Sequence, residues 1–136
     1  TPASGSVGPM GAMVIGAAAG IGCFYAATHL KRKFGYDDSL DVFGVHAVGG
    51  IIGALLTGVF CATQFGGVGF GGDNTSIASQ MTAQGVGVLA TVVYTGIASF
   101  IILKITGMLT GGLRVSEDEE AEGLDLALHN ERGYIL

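Results

Sequence analysis

Val42-Phe43-Gly44-Val45-His46-Ala47-Val48-Gly49-Gly50-Ile51-Ile52-Gly53-Ala54-Leu55-Leu56 is the stretch whose reading decides the fold. It is apolar and rich in glycine, and His46 is its one ionisable group. With its continuation to Phe60 it is long enough to cross a bilayer core of roughly 30 Å at about 1.5 Å per residue. No period-two polar alternation runs through it, so it reads as helix rather than strand. An ionisable side chain near the middle of such a span is costly. It is usually retained because something passes it.

The same character recurs on both sides. Apolar segments lie at about 8–30, 41–63 and 81–109, each long enough to span a bilayer. Of the 136 residues 49% are hydrophobic and 12% charged, against roughly 25% charged in soluble domains. So few charges cannot keep a globular surface wet, and the expected fold is all-α, a polytopic transmembrane helical bundle. The 25 glycines follow no Gly-X-Y period and fall largely within apolar runs. There, small residues let helix backbones approach closely, and Gly16-x-x-x-Gly20 and Gly49-x-x-x-Gly53 have suitable spacing. Residues 1–112 are expected to form the membrane portion and residues 113–136 a polar cytoplasmic tail. The start Thr1-Pro2-Ala3-Ser4, with neither methionine nor signal peptide, suggests a piece of a larger protein.

The net charge of −5 comes largely from acids after Ser116, in Glu117-Asp118-Glu119-Glu120-Ala121-Glu122 and beyond. No basic patch with interleaved aromatics exists, so nucleic-acid binding has no support. Lys31, Arg32 and Lys33 follow the first segment, and Lys104 and Arg114 close the third. The loop from Gly66 to Gln80 has neither lysine nor arginine. The positive-inside rule therefore puts the 31–40 loop and the tail in the cytoplasm, and the N-terminus and the glycine loop outside. Lys104 can snorkel to the interface. Cys23 and Cys61 read as buried small residues. The glycine loop, Gly66 to Asn74, lacks the Gly-Lys-Ser/Thr ending of a phosphate loop.

On a helix, residues four apart sit about 40° apart. Val42, His46, Gly49, Gly50 and Gly53 therefore roughly share a face, with Asp38 near the same stripe and Asp41 off it. A neutral imidazole offers one donor and one acceptor. It can serve a small polar molecule without placing a charge in hydrocarbon, whereas protonation there is costly unless a partner shares the proton. Asp38 or Ser39 can cap the second helix, with Asp41 in its first turn, where a carboxylate suits the helix dipole. His29 reads as interfacial. No nucleophile–base pair, metal-ligand cluster or cofactor loop appears, so neither an enzyme nor a cofactor is expected.

The run Asp37-Asp38-Ser39-Leu40-Asp41-Val42-Phe43-Gly44-Val45-His46-Ala47-Val48-Gly49-Gly50 resembles the signature of the ammonium transporter family (Amt/Mep/Rh), in its Amt branch. Thr1-Pro2-Ala3 resembles the segment before that family's ninth helix, and Gly66-Gly67-Val68-Gly69-Phe70 its outer loop. Gly112-Leu113-Arg114-Val115 and Glu122-Gly123-Leu124-Asp125 resemble its cytoplasmic tail. The resemblance implies the last three of eleven helices plus the tail, in a homotrimer with one narrow apolar pore per subunit. His46 then matches the second of two pore histidines, Val42 an apolar wall position, and Asp41 a structural acid beside the pore. The first histidine, the outer ammonium site and the phenylalanine gate belong to earlier helices. Ala47 departs from the glycine usual after the histidine, and its methyl is expected to perturb slightly either the close packing or the pore wall.

The function so implied is ammonium transport across the cell membrane, with ammonium deprotonated during passage. Potassium, similar in charge and size, cannot shed a proton, and stripping an ion of water in an apolar pore costs several kcal/mol. The tail, with Gly123 and Asp125, resembles the segment by which family members couple subunits and respond to PII-type signalling proteins. The competing reading is an ammonium-sensing or structural membrane module without transport activity.

Overall fold

The computed structural model describes residues 1–134, so the last two residues of the expected tail lie outside it. Every regular element among the described residues is helical. The chain divides into two compact units, Thr1–Val92 and the residues from Val93 onward.

In the first unit, α1 spans Pro9–Phe34. Proline suits its first position, where an N–H would have no helical partner. The apolar run predicts an end near Leu30, but the helix continues through Lys31, Arg32 and Lys33. It stops at Gly35, whose φ of 62° is left-handed and whose N–H donates to the Lys31 carbonyl. This is the glycine stop that a side chain would strain. Helix α2 spans Phe43–Phe60, about 27 Å at 1.5 Å per residue.

Neither helix is regular throughout. Residues Ala26–Leu30 of α1 and Phe43–Ala47 of α2 form π-helical turns. The two turns meet: a Cβ on Gly44 would lie 2.9 Å from the Ala27 nitrogen and 3.0 Å from its Cα. Further along, Gly22 faces Ile52 and Gly11 faces Phe60, so the helices run antiparallel. Gly49 joins this seam, its missing Cβ 2.9 Å from Cys23 Sγ, and Gly53 abuts Pro2. Gly16 and Gly20 meet nothing within 4 Å among the described residues and lie outside this seam.

The far end of α2 is anchored by local bonds. Buried Thr57 donates through Oγ1 to the Gly53 carbonyl at 2.7 Å. The Gly69 N–H donates to Cys61 O at 2.7 Å and the Val68 N–H to Ser6 O at 3.2 Å, which ties the glycine loop to both α2 and the N-terminal turn. Gln80 Oε1 accepts from the Gly71 N–H at 3.0 Å and from Asn74 Nδ2 at 3.1 Å. Ser76 caps the following helix by accepting from the Ser79 N–H at 3.2 Å.

That helix, α3, spans Ile77–Thr110. It begins before the expected Met81 because this capping extends it outside the apolar run. Its 34 residues make about 51 Å at 1.5 Å per residue, more than a bilayer core requires. In the second unit, Lys104 Nζ lies 5.6 Å from the Phe100 ring centroid, an aromatic contact for its stem and charge. Two short helices complete the unit, α4 at Glu117–Glu122 and α5 at Leu124–His129.

Candidate functional site

The turn between α1 and α2 is built on two aspartates with different tasks. The Asp38 carboxylate accepts from the Val42 N–H through Oδ1 and from the Phe43 N–H through Oδ2, both at 2.8 Å. This satisfies two of the donors that a helix start leaves open, and the negative charge suits the dipole there. Asp38, rather than Ser39, is therefore the side chain that caps α2.

Asp41 is not in the first turn. It stands just before the helix with φ of 54°, and its carbonyl accepts from the Val45 N–H at 2.8 Å. Its carboxylate turns to α1 and meets Lys31 Nζ at 2.8 Å. The same ammonium donates to the Asp38 main-chain carbonyl. The left-handed backbone carries the Asp41 side chain away from the helix axis, so a lysine on the neighbouring helix neutralises it and the dipole does not. A residue other than glycine in this region costs of order 1–3 kcal/mol and persists where its surroundings over-determine it.

His46 lies within the π-helical turn Phe43–Ala47. Such a turn holds one residue more than an α-turn. It rotates the remainder of the helix by about 100° from an uninterrupted one, and it occurs often at functional sites. The imidazole is exposed and makes no hydrogen bond within the described residues. That contrasts with His29, whose Nδ1 is 2.8 Å from Thr28 Oγ1 and whose ring stacks on Tyr25 at 4.9 Å.

Two hollows meet at His46. One, of about 660 Å³, is lined by Leu30, Phe34, Tyr36, Asp38, Val42 and His46 among others. The other, of about 710 Å³, is lined by Cys23, Val45, His46, Gly49 and Gly50 together with the N-terminal Thr1 and Pro2. The turn thus brings together Asp38, Val42 and His46. The stripe expected from regular α-geometry is divided, with Val42 on one side of the imidazole and Gly49 and Gly50 on the other. Asp41 lines neither hollow. Cys23 Sγ donates to the Val45 carbonyl at 3.5 Å, an acceptor next to the histidine.

Sequence reasoning missed several members of this site. Lys31 looked like an orientation signal only. Tyr36, whose buried hydroxyl has no hydrogen bond among the described residues and whose ring packs edge-on to Phe43 at 5.5 Å, gave no signal. Neither did the π-turns, although a glycine such as Gly44 facing another helix is the cue that could have suggested them.

The tail is locally ordered in its own unit. Ser116 and Glu119 form a reciprocal capping box at the start of α4. The Ser116 hydroxyl and, less strongly, its amide donate to the Glu119 carboxylate and hold it below the ordinary 4.5. Gly123 separates α4 from α5 with φ of 96°, and its N–H donates to Glu119 O at 3.0 Å. The Asp125 carbonyl accepts from the Glu131 N–H at 3.0 Å. The Arg114–Glu120 pair, at 3.1 Å, is exposed.

Residues 1–134 match the model of the Ammonium Transporter Family. The chain is similar to an ammonium transporter of Bacillus subtilis, 42% identical over 98% of this chain and 33% of that protein. It is also similar to one of Aquifex aeolicus, 46% identical over 100% of this chain and 31% of that protein. An ammonium transporter of Mycobacterium bovis is 39% identical over 98% of this chain and 29% of its own length. The chain thus spans about a third of the length of these relatives. It belongs to the Ammonium Transporter Family, and its all-α, multi-span architecture is that of a membrane helical bundle.

Proposed function

We propose that this member of the Ammonium Transporter Family is the C-terminal portion of an ammonium transporter, contributing its last three membrane helices and a cytoplasmic tail. The carrying observation is the imidazole of His46, which makes no hydrogen bond within the described residues at the junction of two hollows on an otherwise apolar helix. On this reading α2 forms part of a narrow pore wall, with Val42 next to the histidine. A partner histidine from an earlier helix completes the pair along which a proton leaves ammonium. Neutral ammonia then crosses the apolar stretch, while potassium, which cannot lose a proton, bears the full desolvation cost.

The role of each residue rests on its geometry. His46 supplies a donor and an acceptor in a neutral ring. Asp38 holds the first turn of α2 through its backbone and puts negative charge at the mouth of the Val42 hollow. Asp41 supports the turn from outside the lining. The basic cluster Lys31, Arg32 and Lys33 supports a cytoplasmic end for α1, and with it a cytoplasmic tail. In the tail, the hinge at Gly123 and the Asp125 turn form the part by which subunits of a homotrimer couple, or at which a PII-type signalling protein acts.

The test is His46→Ala in the full-length transporter, with ammonium-evoked current and potassium exclusion measured at matched surface abundance. Loss of selective current is expected. Undiminished current with potassium still excluded overturns the pore assignment. For the tail, Gly123→Asp is expected to depress transport. A tail deletion that leaves activity, trimer stability and PII binding unchanged refutes the regulatory role.

A further inference from the structure

We infer that Lys31 is a positioning residue for His46, acting across the α1–α2 turn through Asp41 and the Asp38 carbonyl. This inference rests on the pore reading above and adds a residue to it. Helix α2 starts from a short segment held at several points. The Asp38 carboxylate caps Val42 and Phe43, and the Asp41 carbonyl takes the first helical bond, from Val45. Whatever sets the backbone of Asp41 therefore sets the residue immediately before His46.

Asp41 has a left-handed backbone, φ 54°, which a residue with a Cβ adopts less readily than glycine and which a contact from α1 can favour. Lys31 grips both ends of the segment at once: the Asp41 carboxylate at 2.8 Å and the Asp38 main-chain carbonyl. Lys31 also comes directly after the π-turn Ala26–Leu30, whose Ala27 backbone Gly44 touches. The start of α2 is thus fixed to α1 twice, by steric contact at Gly44 and by charge at Lys31.

Energetics separate positioning from bulk stability. The Lys31 and Asp41 side chains are 29% and 42% exposed, and pairs this open add little to folding. The effect of breaking the tie should therefore appear in the placement of the imidazole, with protein abundance little changed.

The experiment uses the full-length transporter and measures ammonium-evoked current, normalised to surface abundance. The variants are Lys31→Met, Asp41→Asn, their double and Lys31→Arg. Lys31→Met is expected to lower maximal flux about tenfold, short of the ~10²-fold that a 1 Å misplacement of reacting groups can cost. The half-saturating concentration should change less than about twofold, because ground-state entry of ammonium is not altered. Asp41→Asn should match it, and the double should be no worse than either single, as expected of coupled partners. Lys31→Arg should retain most of the flux, since a guanidinium can serve both acceptors.

Wild-type flux in Lys31→Met, losses that multiply in the double, or Lys31→Arg as impaired as Lys31→Met each overturn the inference. If Lys31→Met does not reach the membrane, Asp41→Asn decides: a tenfold loss supports the tie and unchanged flux overturns it. His46→Ala separates the two ideas. Undiminished selective current there removes the pore reading itself. Its loss, with wild-type flux in Lys31→Met, removes only the positioning role.

Discussion

Helices α2 and α3 have similar mean hydropathy, 1.8 and 2.2 over their most apolar windows, yet they are built differently. Helix α2 opens on a side-chain cap, passes through a π-turn, carries a histidine and presses glycines against α1. Helix α3 is a single regular helix, and its Gly85 and Gly87, in the first unit, meet nothing within 4 Å among the described residues. Apolarity alone identifies both as spans. What sets α2 apart is irregularity: a costly polar group, a broken hydrogen-bond register and a tied start.

The sharpest way to break this contrast is His46→Ala. Selective ammonium current in the full-length transporter should fall by about 10²-fold or more, the scale on which a positioned proton-transfer group acts. An equal fall from an apolar substitution on α3, such as Val93→Ala, would dissolve the distinction. Next in size is Gly44→Ala. Its methyl would press on the Ala27 backbone nitrogen and Cα at 2.9 and 3.0 Å, and backbone cannot swing aside as a side-chain tip can. A loss of about 1–3 kcal/mol is expected from such overpacking, read as a lower thermal unfolding temperature in detergent.

The matching change on α3, Gly85→Ala, should go the other way. With open space around it, the substitution should gain up to about 1 kcal/mol of helix propensity. A destabilisation comparable to that of Gly44→Ala would show that α3 packs as tightly as α2.

How far the sequence carried this reading depends on where each feature originates. The three spans, the Asp38 cap and the central place of His46 in its apolar run are written in local composition and spacing. The π-turns are not, because the shift in hydrogen bonding arises where Gly44 and Ala27 come together from different helices. Asp41 was misread for a related reason. Its place in the sequence suits a first helical turn, but its backbone is left-handed and its carboxylate meets Lys31, ten positions earlier on another helix. Tyr36 gave no periodic signal because it lies in the turn itself.

The smallest expected effect lies in the tail, outside both helices. The Glu119 carboxylate is held below its ordinary value by Ser116. A folded-state pKa depressed in this way contributes stability that is complete above the unfolded value and is lost as pH falls through the folded one. The start of α4 should therefore loosen on acidification below the usual carboxylate range. Ser116→Ala should move the Glu119 titration back up, as tracked by its side-chain carboxyl resonance. An unmoved titration would show that the capping box does not form in solution.

The grip of Lys31 on Asp38 and Asp41 closes residues 31–41 into a ring of set length. For protein engineering this makes the α1–α2 turn a poor place for inserted residues, tags or reporters, since any added length must open the ring before it can be accommodated. At the exposed Gly111–Gly112 step, at φ of 75° and 144°, the hold is local, with Thr110 Oγ1 donating to the Gly112 carbonyl at 2.6 Å, which makes it the better point for joining a fluorescent module or exchanging the tail between relatives.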